Sequence, residues 1–445
     1  MGELRDLAER IASGETTSLA EVGRTVETMD HANHAINLFT VIMREEAIAA
    51  AIEADAGPAR GPLHGVPVAV KDLFDVAGRP TTACSGIYAG RIAATDAPVV
   101  AALRRAGAII VGKTNMHELA FGATGDVSSI GPADNPWNPS RMTGGSSSGS
   151  AAAVAAGLVP LALGTDTGGS VRIPSSLCGV SGLKTTNGLL SVEGAVPLSP
   201  TLDTVGPIAG DAEDLALAMQ VLSGLSVVWL DDLSGVTVGM AQNRSFDTID
   251  PLVERGVRAA AGVLESAGAR IVDIALPDAE RVRDTWADIV LPEFLRAHPG
   301  MDTSLLSEEL QFLAAAARTI EPRDERDARD AMSEHARRWD AAFESVDVIA
   351  LPTTPVGAPL HFATTARIGG DDVPVHGGLL SSKTRQINVA EIPAISIPCG
   401  FDENLMPFGL QLAGPRGSEA RLLAVAAVFQ SRTDWHRRRP AQAWV

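Results

Sequence analysis

The chain has 445 residues, 45% of them hydrophobic, and a formal net charge of −18 at pH 7. This length fits one large domain or two to three ordinary ones, and the apolar fraction supports a sizeable core. The acidic balance argues against nucleic acid or an anionic membrane surface as a partner.

Cysteine usage and the lack of long apolar runs indicate where the protein works. The three cysteines are widely spaced, which favours neither a disulfide framework nor a zinc site and is typical of a reducing compartment. The first residues lack the apolar stretch of a secretory signal, and no apolar run is long enough to span a membrane. We therefore expect a cytoplasmic protein that has no membrane partner, no metal and no cofactor.

The first third of the chain alternates between helical and strand patterns. Ser18 with Glu21 fits a capping box that begins a helix running towards Asn33. An apolar strand over 66–70 ends at Lys71. Periodicity and flanking residues predict the other elements, which are helices over 4–11, 44–56, 98–106 and 114–121, strands over 37–42 and 108–111, and an irregular loop over 135–139.

The second half of the chain continues this alternation. Helical patterns cover 212–222, 251–267, most of 278–346, and 418–431. Strands are predicted over 236–240, 271–274, 348–351, 394–398 and 408–412. No repeat and no Pro/Gly/Ser linker divides the chain, so the sequence predicts one large α/β domain over 1–445.

The stretch 144–184 differs from the rest because it is dense in Gly and Ser and nearly free of charge. Two Gly-Gly-Ser triplets, at 144–146 and 168–170, flank an apolar segment over 151–163. Glycine allows backbone to approach a ligand closely, and a serine after such a turn can present its hydroxyl into a cleft. A solvated Gly/Ser linker explains the stretch poorly, because the apolar segment would then face water.

Short motifs for other chemistry fit this stretch poorly. Residues 145–149 match the G-x-S-x-G nucleophile elbow, but no buried strand precedes them and no well-placed Asp and His follow. Residues 181–184 match S-x-x-K without the companion motifs of that class. The Gly-rich loops lack the G-K-[ST] ending of a phosphate-binding loop. His117 has no partner nearby in sequence, which is typical of a packed or surface histidine.

A serine nucleophile that works without histidine is the remaining option. Serine needs a base to attack a carbonyl near neutral pH, and a desolvated, neutral lysine can be that base, directly or through a second hydroxyl. Lys71 has apolar neighbours and could serve, although a lysine at a strand end often simply reaches water. The backbone N–H groups of 167–170 could form an oxyanion hole, and Asp166 with Arg172 could pair to brace that loop.

Five segments together carry a resemblance that is far more specific than these short motifs. They are GPLHGVPVAVKD at 61–72, GGSSSGSAAAVAAG at 144–157, GTDTGGSVRIPSSLCGVSGLK at 164–184, TLDTVGP at 201–207 and IPAISIPCGF at 392–401. In these segments the chain resembles the amidase signature family, and the similarity extends from about residue 38 to about residue 430. The resemblance implies that family's fold, a mixed and mostly parallel β-sheet covered by helices.

The resemblance also implies a Ser–cis-Ser–Lys triad in which Lys71 is the base, Ser146 the cis-serine and Ser170 the nucleophile. The oxyanion hole would be formed by the backbone of Thr167, Gly168, Gly169 and Ser170. The expected supporting residues are Gly145, Ser147, Asp166 and Arg172. The signature core would occupy 61–210, and the helical region 278–346 would shape the substrate pocket.

The implied activity is hydrolysis of an amide or amide-like carbonyl bond other than a peptide bond, such as an amide, carbamate, urea or hydrazide. A seryl acyl-enzyme would form, and an amine or ammonia and an acid would be released. The expected partner is a small-molecule substrate, with no nucleic acid, and the protein would act as a monomer or homodimer. A silent binding protein is disfavoured, because the complete triad is present.

The alternative function is a glutaminase-type subunit of a tRNA-dependent amidotransferase complex. Such subunits carry an Asp three residues before the Thr of a T-x-x-x-N segment, where it resembles a holder for the substrate amino group. In this chain the segment runs from Thr384 to Asn388, and the position holds Ser381. This departure disfavours glutamine as the substrate.

Overall fold

Eleven strands form one central sheet in the computed structural model, which describes residues 2–241, 247–276, 281–376 and 378–441. The strands of this part of the chain are, in order, β1 (Phe39–Ile42), β2 (Pro67–Lys71), β3 (Ile109–Thr114), β4 (Asp134–Asn135), β5 (Asn138–Met142), β6 (Leu161–Asp166), β7 (Ser181–Lys184), β8 (Thr204–Ala209), β9 (Thr237–Ala241), β10 (Arg270–Ile274), β11 (Val348–Pro352), β12 (Thr365–Ile368), β13 (Asp371–Pro374), β14 (Ala394–Phe401) and β15 (Pro407–Ala413). The central sheet has the order β1-β3-β2-β6-β8-β7-β14-β15-β11-β9-β10, and the pairs β4–β5 and β12–β13 lie outside it.

Helices cover this sheet, and several begin at residues that satisfy free N–H groups of the first turn. Thr17 caps the second helix, Asp211 the seventh and Ser307 the tenth, each through a side-chain oxygen. The helices of the described ranges are α1 (Glu3–Ala12), α2 (Ser18–Ile36), α3 (Arg44–Ala56), α4 (Pro98–Arg105), α5 (Ser148–Ala155), α6 (Arg172–Cys178), α7 (Ala212–Ser223), α8 (Pro251–Ser266), α9 (Val282–Ala297), α10 (Glu308–Ala317), α11 (Pro322–Ala342), α12 (Arg385–Val389) and α13 (Glu419–Ser431).

The sheet is mixed, as the resemblance predicted. Strand β2 runs parallel to β3 and β6, and β9 runs parallel to β10 and β11. The strands between these two blocks, and β1 at the edge, pair antiparallel with their neighbours. One parallel block therefore contains both β2, which ends at Lys71, and β6, which ends at Asp166.

The pleat of β2 decides which way Lys71 points. Successive side chains of a strand face opposite sides of the sheet. Val68 and Val70 pack into the larger core cluster, whereas Ala69 packs with residues of α2, α3 and α5 on the other side. Lys71 follows the same alternation and lies on the side of Ala69, towards the start of α5.

Two predicted elements are wrong. In place of a helix over 114–121, β3 continues to Thr114 and a 3₁₀ turn forms at Glu118–Ala120, with Leu119 at φ 50°. A continuous helix does not form, because the N–H groups of Asn115, His117 and Glu118 donate to carbonyl oxygens of other segments and not to the preceding turn. In place of an irregular loop over 135–139, β4 and β5 pair as an antiparallel hairpin.

The other predicted helices and strands are present, with bounds within a few residues of those predicted, and α3 has the predicted bounds. Thr17, one residue before the predicted cap, accepts the N–H of Ala20 and caps α2. Residues 278–280, at the start of the predicted helical region, lie outside the described residues, and α9 to α11 fill most of the remainder. Within the described ranges, every helix is too short or too polar to cross a membrane.

Candidate active site

Lys71 ends β2 in the interior of the protein, fully removed from solvent. Its Nζ lies 2.7 Å from Ser146 Oγ and 2.9 Å from Thr165 Oγ1, so it makes hydrogen bonds with two hydroxyl groups. Ser146 immediately precedes the first turn of α5, and Thr165 belongs to the neighbouring strand β6. The structure thus brings together the predicted base and the predicted second serine.

The sequence contains four lysines, and all four are buried, but their hydrogen-bond partners differ. Lys113 forms a 2.9 Å ion pair with Asp72, and Lys184 donates to three carbonyl-type oxygens at 2.9–3.0 Å. Such partners can only accept hydrogen bonds, which suits an ammonium, while burial lowers the pKa of Lys184 to about 7 and also lowers that of Lys113. The hydroxyl partners of Lys71 can also donate, so they can equally serve a neutral amine.

The buried position of Lys71 changes its protonation. Burial lowers the pKa of its ammonium from 10.5 to about 7, because the charged form loses its hydration. The carboxylates of Asp203 and Asp166 oppose this shift, since they favour the cation. A large share of Lys71 is consequently the free amine near neutral pH, in agreement with the desolvation argument made from its apolar neighbours.

The peptide bond between Gly145 and Ser146 is cis. A Cβ on residue 145 would collide with the backbone of Gly122 and Gly125, so only glycine fits there. Ser147 fixes the next residue of the segment, because its hydroxyl exchanges hydrogen bonds with the backbone of Thr165. Ser147 thus ties the segment that carries Ser146 to β6, and Gly145 allows the segment to pass close to Gly122 and Gly125.

Ser170 lies in the turn between β6 and α6, and it lines a pocket. Its carbonyl oxygen accepts the N–H of Ser147 at 3.2 Å, which joins the two serine-bearing segments. Gly169 has φ 129°, a conformation that favours glycine, and an added Cβ would collide with the hydroxyl of Thr384. Glycine is required at this position for two independent reasons.

The turn that carries Ser170 is braced by the predicted pair of Asp166 and Arg172, which are both fully buried and 2.8 Å apart. Arg172 also donates to the side chains of Asn388 and Gln411 at 2.7 and 2.6 Å and to the carbonyl of Thr384 at 3.2 Å. The guanidinium strongly lowers the pKa of the Asp166 carboxyl against the opposing effect of burial. The pair thereby ties the turn to α12 and β15.

One predicted donor of the oxyanion hole is already used. The N–H of Gly169 donates to Asp166 Oδ1 at 2.9 Å, so this amide holds the turn in shape. The prediction is therefore corrected to the amides of Thr167, Gly168 and Ser170, which stay a proposal.

Ser170 faces a pocket of about 610 Å³ that is mostly apolar. Lys71 and Ser146 are not among the residues that line this pocket. Side chains of the region 278–346 contribute Trp286, Leu291 and Phe312 to its walls. The polar lining residues include Glu308, Glu309, Arg283, His376, Ser381 and Arg385.

Sequence reasoning missed three residues that hold the Ser170 turn or line its pocket. Trp286 donates its indole N–H to the carbonyl of Thr167 at 2.9 Å, and Asp203 accepts the hydroxyl of the same threonine at 2.6 Å. Arg385 lies beside the indole in the pocket wall. Each is far from residue 167 in sequence, so local patterns could not connect them.

Comparison with known proteins gives consistent matches over nearly the whole chain. A family model described as Amidase matches residues 22–423. The A subunit of glutamyl-tRNA(Gln) amidotransferase from Chromohalobacter salexigens is 35% identical, and the match covers 98% of each chain. The protein of the same name from Rhodopirellula baltica is also 35% identical, with 98% of this chain and 97% of that protein covered.

Solved structures match the fold equally well. A crystal structure described as an amidase is 31% identical with a TM-score of 0.90, covering 97% of this chain and 100% of that one. Another, concerning a vestigial protein complex and the origins of an s-triazine catabolic enzyme, is 31% identical with a TM-score of 0.88, covering 97% and 98%.

These relatives overturn one prediction. We expected a monomer or homodimer that acts on a small molecule alone and has no nucleic-acid partner. This expectation is wrong, because the curated relatives are named as subunits of a glutamyl-tRNA(Gln) amidotransferase. The inference from net charge failed for a physical reason. Charge repulsion concerns the surface of one chain, whereas in an assembly another subunit can contact the RNA.

The network around Arg172 generates a stability prediction. Arg172→Met removes the partner of a fully buried carboxylate, which should lower the free energy of unfolding by about 3–5 kcal/mol. Arg338→Met is the matched control, because Arg338 pairs with Glu334 on the exposed surface of α11, where such a pair contributes about 1 kcal/mol or less. Urea unfolding of both variants measures the difference, and equal losses would contradict the bracing role.

Proposed function

We propose that this chain, which belongs to the amidase family, cleaves an amide C–N bond through an acyl-enzyme on Ser170. The observation that carries this proposal is the 2.7 Å hydrogen bond between the buried Lys71 amine and the Ser146 hydroxyl, in a segment whose next residue, Ser147, donates its N–H to the carbonyl of Ser170 at 3.2 Å. A base with a pKa near neutrality is thereby connected to the region of the proposed nucleophile.

The proposed proton path begins at the neutral amine. Lys71 accepts the proton of Ser146, while Ser146 accepts the proton of Ser170. Ser170 Oγ attacks the substrate carbonyl, and the backbone amides of Thr167, Gly168 and Ser170 stabilise the oxyanion that forms. The proton then returns through Ser146 to the leaving nitrogen, the C–N bond breaks, and water releases the acid from Ser170 by the same path.

The mostly apolar lining of the pocket favours a substrate that carries a hydrocarbon group next to the scissile bond. Trp286, Phe121 and Phe312 offer aromatic surface, and the volume suits a small molecule. Amides are the substrates we propose. Carbamates, ureas and hydrazides present the same carbonyl to Ser170 and extend the proposal.

A second candidate function is favoured by the curated relatives, namely the ammonia-releasing subunit of a tRNA-dependent amidotransferase. These comparisons support it better than a stand-alone hydrolase. The same chemistry at Ser170 would release ammonia from a primary amide for use elsewhere in the assembly. Ser381 lines the pocket at the position where glutaminase-type subunits carry an Asp for the substrate amino group, so the amide donor need not be glutamine.

Replacement of the proposed nucleophile tests the acyl-enzyme directly. Ser170→Ala should lower amide turnover at least about 10⁴-fold, because no covalent intermediate can form, while the thermal unfolding midpoint stays near that of the wild type. A fluorophosphonate probe should label the wild type at Ser170. Peptide mapping that finds the adduct on Ser147 or Ser181 instead would refute the assignment.

The proposed base generates a prediction of pH dependence. Because Lys71 must be neutral to accept a proton and its pKa is about 7, the acylation rate should fall as pH drops through about 7. Lys71→Ala and Lys71→Arg should both lose several orders of magnitude in acylation rate, since an arginine stays charged. Stopped-flow acylation across pH measures both effects, and near-normal acylation by Lys71→Arg would exclude the base role.

The second candidate function has its own test. An extract from host cells that lack this chain should fail to convert glutamyl-tRNA(Gln) to glutaminyl-tRNA(Gln), and the purified wild type should restore the conversion. Ser170→Ala is the matched control and should not restore it. Conversion without the chain, or no recovery when the chain is added, would reject this candidate function. Amide hydrolysis at Ser170 would still be tested by the acylation assays.

A further inference from the structure

Arg385 begins α12 at the wall of the substrate pocket. Its neighbour Thr384 donates a hydrogen bond to the carbonyl of Gly168 at 2.6 Å. Trp286, which donates to the carbonyl of Thr167, lies under the guanidinium of Arg385. The distance from Arg385 Cζ to the centre of the indole ring is 4.7 Å. Two residues that grip the Ser170 turn therefore flank Arg385, which places a positive charge close to the proposed reaction centre.

The guanidinium of Arg385 lacks a carboxylate partner in the described part of the chain. Its Nε is buried without a hydrogen-bond partner among the described residues, and it packs against the Trp286 ring and the backbone of Gly378. Arg172 shows the contrast, because its donors reach Asp166, Asn388 and Gln411. An arginine that is half-buried without an acid is costly unless a ligand supplies the negative charge.

The acidic residues of the pocket belong to another element. Glu308 and Glu309 begin α10, where Glu308 is exposed and Glu309 lies 3.9 Å from the buried ring of His117. The second arginine of the pocket, Arg283, lies on α9 one turn before Trp286. The wall formed by α9 and α12 is thus positively charged and faces the same cavity as Ser170.

We propose that Arg385 binds a carboxylate of the substrate, so that the preferred substrates are small amides that also carry a carboxylate group. This inference rests on the proposed amide hydrolysis at Ser170 and names its substrate class. The planar guanidinium matches a carboxylate with two parallel hydrogen bonds, and the indole beneath it holds the plane in place.

Matched substrates test this inference. The monoamides malonamate, succinamate and glutaramate each have a neutral counterpart in propanamide, butanamide and pentanamide, in which a methyl group replaces the carboxylate. The wild type should cleave at least one of the anionic amides with a kcat/KM about 10- to 100-fold above its counterpart, the value of a charged hydrogen bond. Arg385→Met should abolish this preference, chiefly by raising the KM of the anionic amides towards that of their neutral counterparts.

Two further variants sharpen the result. Arg385→Lys should keep part of the preference, because lysine retains the positive charge but cannot donate two parallel hydrogen bonds from one plane. Arg318→Met, at the exposed end of α10, should keep all of it. If Arg385→Met lowers the turnover of anionic and neutral amides alike, Arg385 supports the turn and does not bind substrate, and the inference is overturned.

A readout that needs no turnover separates this inference from the proposed function. Succinate or glutarate should slow fluorophosphonate labelling of Ser170 in the wild type but not in Arg385→Met. Equal cleavage of anionic and neutral amides, or labelling that dicarboxylates do not slow, overturns carboxylate binding and leaves the amidase proposal standing. Failure to cleave any amide, together with failure of the probe to reach Ser170, overturns the proposed function itself.

Discussion

The structure depends on one buried amine that has hydroxyl groups for partners. Lys71 is fully buried, and its nitrogen contacts Ser146 and Thr165 at 2.7 and 2.9 Å. An ammonium in this place would need an acid or several carbonyl oxygens, as Lys113 and Lys184 have. The parallel pairing of β2 with β6 and the start of α5 beside them create this site, and burial then lowers the pKa of Lys71 to about 7.

The second constraint is the tight turn after β6. Asp166 holds the amide of Gly169 and the side chain of Arg172, and Arg172 reaches the side chains of α12 and β15. Residues separated by more than 200 positions in the sequence thus fix the loop that presents Ser170. The same hydrogen-bond network therefore stabilises the fold and shapes the candidate site, and a substitution in that network affects both.

Much of this arrangement could be predicted from the sequence, because its local signals agree. The long motifs identified the family, the predicted Lys71 and Ser146 lie 2.7 Å apart, and the predicted pairing of Asp166 with Arg172 is present. The residues around the pocket could not be predicted, since Trp286 and Asp203 contact the Ser170 turn, and Arg385 contacts Trp286, only through the tertiary fold. The helix predicted over 114–121 failed for a similar reason, because the N–H groups of Asn115, His117 and Glu118 bond to segments outside that range. The partners of the chain were also mispredicted, because net charge says nothing about other subunits.

The most direct measurement concerns the protonation of Lys71 itself. Because the chain contains only four lysines, protein labelled with ¹³C at the lysine ε-carbons should give four NMR signals, which single Lys→Arg variants can assign. The account predicts that the Lys71 signal titrates with a pKa near 7 in the folded enzyme. A Lys71 signal that shows the ammonium form throughout and titrates only near the ordinary value of about 10.4 would contradict the account.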